Sequence, residues 1–260
     1  MTVVCCPLTL MIKMIKHIPN AITCCNLLSG CISIVLMCNG YAVAAGAMIF
    51  LAAVFDFFDG FAARLLKAYS PLGAQLDSLS DVVSFGVAPS FIVYYYLNQA
   101  VGMLGNSWWS LEIAGFYILP FVAFFLAVFA ELRLAKFNID DRQTTSFIGL
   151  PTPAMGLFVA SLPFTLQNEL LGFMANNMTN IYFLIAIVGI FSYLMVSEIP
   201  FFSLKIKNLK FKENIHIYVL AICAVAAFIF LGFAAIPFVM MFYIVLSLFK
   251  DIKTQRHKVN

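Results

Sequence analysis

AVAAGAMIFLAAVFDFFDGFAARLL, residues 42–66, decides the fold. Apart from Asp56, Asp59 and Arg64 the stretch is apolar or small, and it is long enough for a helix of ~20 residues to cross a bilayer. Comparable apolar runs recur along the chain at about eight places: 20–38, 42–66, 73–97, 114–134, 149–168, 181–201, 215–232 and 234–250. The last two are short and read equally as one interrupted, re-entrant pair around Ala235-Ile236-Pro237. The 260 residues are 63% hydrophobic and only 10% charged, which excludes a soluble globular domain. The expected fold is an all-α, polytopic membrane bundle of about eight spans. No nucleic-acid partner is expected.

The net charge of +3 matters through its placement. Lys13 and Lys16 precede the first run, and Arg64 and Lys67 follow the second. Arg133, Lys136 and Arg142 bracket the link from the fourth to the fifth. Lys205, Lys207, Lys210 and Lys212 separate the sixth from the seventh, and Lys250, Lys253, Arg256 and Lys258 close the chain. The alternate links, 39–41, 98–113, 169–180 and 233, carry neither Lys nor Arg. The positive-inside rule makes the basic side cytoplasmic, with both termini on it.

This divides the chain into a cytoplasmic segment 1–17, a core of six spans at 18–201, a basic link 202–214, a helical pair 215–250 and a basic tail 251–260. Residues 1–10 look unlike the rest of the chain, and Met11 or Met14 are alternative starts; the first apolar run lacks a small-residue cleavage site and reads as retained. The seven cysteines show no C-x-x-C spacing and read as small packing residues within apolar sequence. Trp108 and Trp109 read as interfacial anchors, and Lys205–Lys212 as a patch for anionic lipid. His17, His216 and His257 read as surface positions.

Carboxylates on spanning helices are costly and read as functional by default. Asp56 and Asp59 are separated by three residues, and Asp77 and Asp81 by four, so each pair shares one helix face. The short link through Ser70-Pro71 makes the two helices antiparallel neighbours, so that the four carboxylates converge about 6–15 Å below the cytoplasmic surface at 1.5 Å rise per residue. Oxygen-only donors select hard cations such as Mg²⁺ or Mn²⁺, and a pair of such ions suits phosphoryl chemistry. Gly60 and Ala63 leave a surface that a flat ligand can approach, Arg64 offers a planar fork to a phosphate, and Gly73 opens the facing helix. Each residue alone has a plainer reading: an intramembrane Asp as a proton relay or helix-pairing group, a Gly as packing, Arg64 as a snorkelling anchor. An ion-coupled transporter is the rival reading of the four aspartates, although such sites usually lie at the midplane between related halves.

The full pattern, Asp56-x2-Asp59-Gly60-x2-Ala63-Arg64-x8-Gly73-x3-Asp77-x3-Asp81, resembles the signature of the CDP-alcohol phosphatidyltransferases. That resemblance implies membrane enzymes that move a phosphatidyl group from a CDP-linked lipid to an alcohol and release CMP. It implies that Asp56, Asp59, Asp77 and Asp81 hold two divalent ions, Mg²⁺ or Mn²⁺, and that Asp81 deprotonates the attacking hydroxyl. It places Gly60, Ala63, Arg64 and Gly73 at the nucleotide, with Ser70, Asn20 and Thr23 also touching the CDP group.

Flanking segments at 18–23, 76–89, 133–138 and 147–154 are similar to the members that use serine, which implies CDP-diacylglycerol and L-serine as substrates. Lys136 stands where arginine is expected. Arg133 or Lys136, helped by Asn138 and Ser84, is the expected site for the serine carboxylate. A purely anchoring role for the basic pair, beside Glu131 and Asp140, is the plainer alternative. Sibling acceptors, glycerol 3-phosphate or an inositol phosphate, would favour a denser basic pocket. The resemblance further implies a homodimer among membrane lipids, with its site at the cytoplasmic face of an inner membrane.

Overall fold

Ile18–Cys38 (α1) and Ala42–Leu65 (α2) form an antiparallel hairpin, the most extensive helix pairing among the described residues. The computed structural model describes residues 17–103, 111–113, 115–140, 147–171, 180–201 and 211–259. Lys13, Lys16, Arg142, Lys205, Lys207, Lys210, Cys5, Cys6, Trp108 and Trp109 lie outside them, as do the side chains of 211–216 and 248–259.

Pro19 sits in the first turn of α1, where its missing N–H costs nothing and its fixed φ favours the helix. The buried stripe of α1 is Thr23, Asn26, Ser29, Gly30, Ser33 and Met37. In lipid the tails are as apolar as leucine, so helices associate through small and polar faces instead. Ser33 shows this directly, its hydroxyl donating to the Ala45 carbonyl of α2 at 2.8 Å. The same inversion corrects the reading of the cysteines as packing residues. Cys24, Cys25, Cys31, Cys38 and Cys223 are free thiols on exposed faces, and on α1 the inner stripe is taken largely by polar and small residues instead.

Pro71–Asp81 (α3) begins on a defined cap, with the Ser70 hydroxyl accepting from the Gly73 N–H at 2.9 Å and Pro71 in the first turn. The helix does not run on regularly. Val82–Val87 is π-helical before Ala88–Met103 (α4), so that Pro71–Met103 is one segment of 33 residues. Pro89 gives the physical reason: its ring lacks an N–H and clashes with the carbonyl four residues back, that of Phe85. The widened turn is registered by the Ala88 N–H bonding to the Val83 carbonyl, and Ser90 donates to the Gly86 carbonyl at 2.7 Å. The π segment packs tightly on both sides. A Cβ on Gly30 of α1 would meet the Ser84 Cα at 2.8 Å, and one on Gly86 would meet the Cβ of Ala130 at 3.1 Å.

The fourth expected span starts later than its hydropathy suggests. Glu112–Ile113 (β1) and Phe116–Tyr117 (β2) pair as a short antiparallel ribbon, followed by a 3₁₀ turn at Leu119–Phe124 and then Phe125–Ile139 (α5). Phe147–Ile148 (β3) precedes Thr152–Gln167 (α6), and Ile181–Val196 (α7) precedes Pro200–Phe201 (β4). The sixth run was expected to stay helical to 201, but it stops at Val196, and Pro200–Phe201 pairs antiparallel with β3 instead. Phe211–Leu231 (α8) and Ile236–Val259 (α9) end the chain, separated by a 3₁₀ turn at Gly232–Ala235. Gly232 there has φ +57°, a left-handed conformation that side chains disfavour.

Helix thus lies on each apolar run read from the sequence. Among the described residues, four segments are by length and composition able to cross a membrane: Ile18–Cys38, Ala42–Leu65, Pro71–Met103 and Ile217–Ser247. Ile181–Val196 is shorter. The buried core gathers Ile49, Phe85, Ile92, Leu126, Met155 and Leu184 around α4 and α6. Outward faces carry exposed Phe57, Phe61, Leu65, Phe125, Tyr193 and Ile229, as expected where the surroundings are lipid.

Candidate active site

The α2–α3 hairpin places its carboxylates by helical spacing alone. Oxygens of Asp56, Asp59 and Asp77 all lie within 4.8 Å of one another. Asp56 and Asp77 face each other at hydrogen-bonding range. Asp59 is nearly buried, and the Thr23 hydroxyl donates to its Oδ2 at 2.6 Å. That hydroxyl also lies 3.0 Å from the Pro19 carbonyl, but a hydroxyl has one proton and the charged acceptor binds it more strongly.

Asp81 stands outside the three-carboxylate group. It lies one turn beyond Asp77 on α3, nearly buried, within electrostatic range of Asp56, Asp77 and Asp59. Its Oδ1 accepts from the Asn26 side-chain amide at 3.1 Å. Asn26 was missed in the sequence reading, yet a signal existed: it follows Thr23 by three residues on the same face of an otherwise apolar helix.

The donor set fits a divalent cation. All three clustered donors are carboxylate oxygens, the chemistry that hard cations select. The Asp77 Oδ1 is buried with no hydrogen-bond partner, as is the Oδ1 of Asn26. An unpaired buried acceptor costs about 1–3 kcal/mol, more when charged, so a ligand that satisfies it gains correspondingly.

Beside the carboxylates lies a cavity of about 210 Å³. Asn20 and Thr23 line it from α1, Gly60 and Ala63 from α2, and Ser70 and Gly73 from the start of α3, with Asp59 and Asp77 at its wall. Those positions were expected to meet at a nucleotide. Arg64 was expected with them but does not form the wall. Its guanidinium reaches back along α2, 3.9 Å from where a Cβ on Gly60 would stand. Gly73 is tightly constrained: a Cβ there would lie 3.0 Å from the Asn20 Oδ1 and 3.1 Å from the Ser70 Oγ. Tyr69, unmarked in the sequence, also borders this cavity from an exposed position in the link.

A second cavity, about 330 Å³, lies at the end of α5. Arg133 and Lys136 line it, together with Ser197 and Glu198 from the turn after α7. Arg133 is only 6% exposed, its Nε is buried without a partner, and its guanidinium carbon stands 5.1 Å from the Phe137 ring centre. It is also within electrostatic range of Asp81.

Ser84 and Asn138 do not join this pair. Ser84 is fully buried against Gly30, and its hydroxyl donates to the Ser80 carbonyl at 2.8 Å. Asn138 donates to the Ser78 hydroxyl at 2.9 Å and so fastens α5 to α3. Both side chains are occupied in holding helices together.

Comparison with known proteins identifies the family. The family model for CDP-alcohol phosphatidyltransferases matches residues 16–196. A CDP-diacylglycerol–serine O-phosphatidyltransferase of Bacillus subtilis is 35% identical over 190 residues, covering 72% of this chain and 90% of the relative. Proteins of the same description from Helicobacter pylori and Methanocaldococcus jannaschii are each 31% identical, over 206 and 212 residues. Those alignments cover 78% of this chain and 78% of the relative in the first case, and 81% and 83% in the second.

Proposed function

This chain belongs to the CDP-alcohol phosphatidyltransferase family, and from that premise we propose that it transfers the phosphatidyl group of CDP-diacylglycerol to L-serine. The products are phosphatidylserine and CMP. The observation that carries the chemistry is the cluster of Asp56, Asp59 and Asp77, two of which, Asp59 and Asp77, stand at the wall of a cavity lined by Gly60, Ala63, Ser70 and Gly73. The acceptor follows from relatives that are named for serine and cover most of the chain.

Asp56, Asp59 and Asp77, with Asp81, would hold two divalent ions, Mg²⁺ or Mn²⁺, which when bound neutralise the diphosphate and favour departure of CMP. The remaining work belongs to the chain itself. Thr23 fixes the Asp59 carboxylate, and Asn26 fixes that of Asp81. Gly60, Ala63 and Gly73 let the nucleotide approach helix backbone, with Asn20 and Ser70 as polar contacts and Arg64 as the cation for a phosphate. Asp81 accepts the proton of the serine hydroxyl while that oxygen attacks phosphorus in line. One P–O bond forms to serine, the P–O bond to CMP breaks, and the proton passes from Asp81 to water. Arg133 and Lys136 take the serine carboxylate. An apolar cavity of about 340 Å³ on the outer side of α1 and α2, bordered by Ile22, Phe55, Phe58 and Leu65, suits an acyl chain of the lipid.

Residues 18–201 form the catalytic core in this reading, with the pair at 215–250 packed beside it. The chain crosses an inner membrane eight times, as the alternation of basic and non-basic links supports, with both termini and the site at the cytoplasmic face. Family membership supports a homodimer.

The test is lipid product and CMP release by the purified chain with CDP-diacylglycerol, Mg²⁺ or Mn²⁺, and one alcohol at a time. Serine-dependent CMP with equimolar phosphatidylserine is expected, and Asp81→Asn should lower it about 10²–10⁴-fold. Activity with glycerol 3-phosphate or an inositol phosphate and none with serine would contradict the assignment.

A further inference from the structure

The stretch Phe147-Ile148-Gly149-Leu150 has no part in the chemistry above, yet it is held with unusual care. Ile148 and Phe147 pair with Pro200 and Phe201 in the β3–β4 ribbon. The Gly149 N–H bonds to the Ile199 carbonyl at 3.0 Å, and the Leu150 N–H to the Leu194 carbonyl at 2.9 Å. Gly149 has φ +78°, and a Cβ there would strike the carbonyls of Met195 and Ser197. Only glycine meets both requirements. Within the turn itself the Ser197 N–H bonds to the Tyr193 carbonyl at 2.9 Å, and its hydroxyl donates to Leu194 at 2.9 Å.

These bonds fix one thing above all: where the chain leaves α7, at Ser197 and Glu198. That turn lines the 330 Å³ cavity together with Arg133 and Lys136. The cavity therefore offers two cations and, on a braced turn, a carboxylate. Asp140 is a second carboxylate of the lining, but it already has an interaction partner. Arg133 also lies within electrostatic range of Asp81.

We propose that Glu198 binds the ammonium group of the acceptor and so makes this cavity selective for a zwitterionic amino acid. The inference rests on the serine reading above and deepens it. An α-amino acid presents a carboxylate and an ammonium on one carbon, and a site for it needs both partners across a narrow gap. Arg133 and Lys136 meet the first, Glu198 the second, and the side-chain hydroxyl is left free to turn toward Asp81. A phosphorylated alcohol in the same place would bring a dianion against Glu198 and Asp140, and like charges at that range disfavour such a partner. Glu198 thus acts against the sibling acceptors as well as for serine. The β3–β4 clamp is the positioning device that holds it.

The experiment compares the full-length wild type with Glu198→Gln and Glu198→Asp, in detergent with CDP-diacylglycerol and Mn²⁺. It reads KM for serine, KM for the CDP-lipid, and inhibition by 3-hydroxypropanoate, which is serine without its amine. Removing a charged partner of the ammonium should raise the serine KM in Glu198→Gln about tenfold or more. Glu198→Asp should recover part of the loss, inhibition by 3-hydroxypropanoate should stay put, and KM for the CDP-lipid should move less than about twofold. An unchanged serine KM in both variants overturns the inference while leaving the serine reading intact, as does an equal loss of affinity for serine and for 3-hydroxypropanoate. A wild type that releases no CMP with serine overturns the functional reading and this inference with it.

Discussion

The cavity beside the carboxylates and the one at the end of α5 are built by different means. The first takes its carboxylates from two helices joined by a short link, adds Asn20 and Thr23 from α1, and is opened by missing side chains at Gly60 and Gly73. The one at the end of α5 is made by residues far apart in sequence, brought together by a two-residue ribbon and a left-handed glycine. The first is anionic at its wall and suits a phosphate-bearing ligand that arrives with cations. The second offers both charges and suits a small zwitterion. Asp81 is within electrostatic range both of the carboxylate cluster and of Arg133. Under the proposed function this division would let each substrate be recognised by its own chemistry, with Asp81 as the shared base.

Substitutions separate the two sides, beginning with the largest effect. Asp56→Asn removes a donor from the cluster and should lower turnover about 10³-fold or more, with Mn²⁺ affinity, read by electron paramagnetic resonance, falling in parallel. Retained Mn²⁺ binding would separate the cluster from the metal. Arg133→Ala leaves the acceptor carboxylate without its buried partner, and the KM for serine should rise about 10–100-fold. Arg133→Lys should recover only part of that, because the planar fork is lost. Asn26→Ala frees the Asp81 carboxylate from its 3.1 Å bond; kcat should fall about tenfold while both KM values hold. Smallest of all, Ser84→Ala and Asn138→Ala should leave both KM values within about twofold, since each hydroxyl or amide serves helix contacts and not a cavity. A large serine-specific effect from either would redraw the acceptor site.

How much of this was legible beforehand follows the same division. The carboxylate side could be read because intervals of three and four residues map directly onto one helix face, and because a carboxylate in an apolar run demands a reason. The cluster at Asp56, Asp59 and Asp77 needed no tertiary information beyond the short link at Ser70-Pro71. The acceptor side needed a good deal. Nothing in the local sequence announces that helix ends at Val196, that Pro200–Phe201 pairs with Phe147–Ile148, or that Glu198 lines one cavity with Arg133. Ser84 is not among the residues lining the second cavity; it lies in the π-helical segment Val82–Val87 and packs against Gly30. The cysteines were misread through habits from soluble proteins, where the apolar face turns inward. Here α1 turns Thr23, Asn26, Ser29 and Ser33 inward and its cysteines outward.

The most direct test of two separate recognition sites is a paired determination of KM for serine and KM for CDP-diacylglycerol in Gly73→Ala and Arg133→Ala. A Cβ on residue 73 crowds the Asn20 and Ser70 contacts at 3.0 and 3.1 Å, so that variant should weaken the CDP-lipid about tenfold and leave serine alone. Arg133→Ala should do the reverse. If both variants shift both constants by similar factors, the two cavities do not divide the substrates between them, and the account fails at its centre.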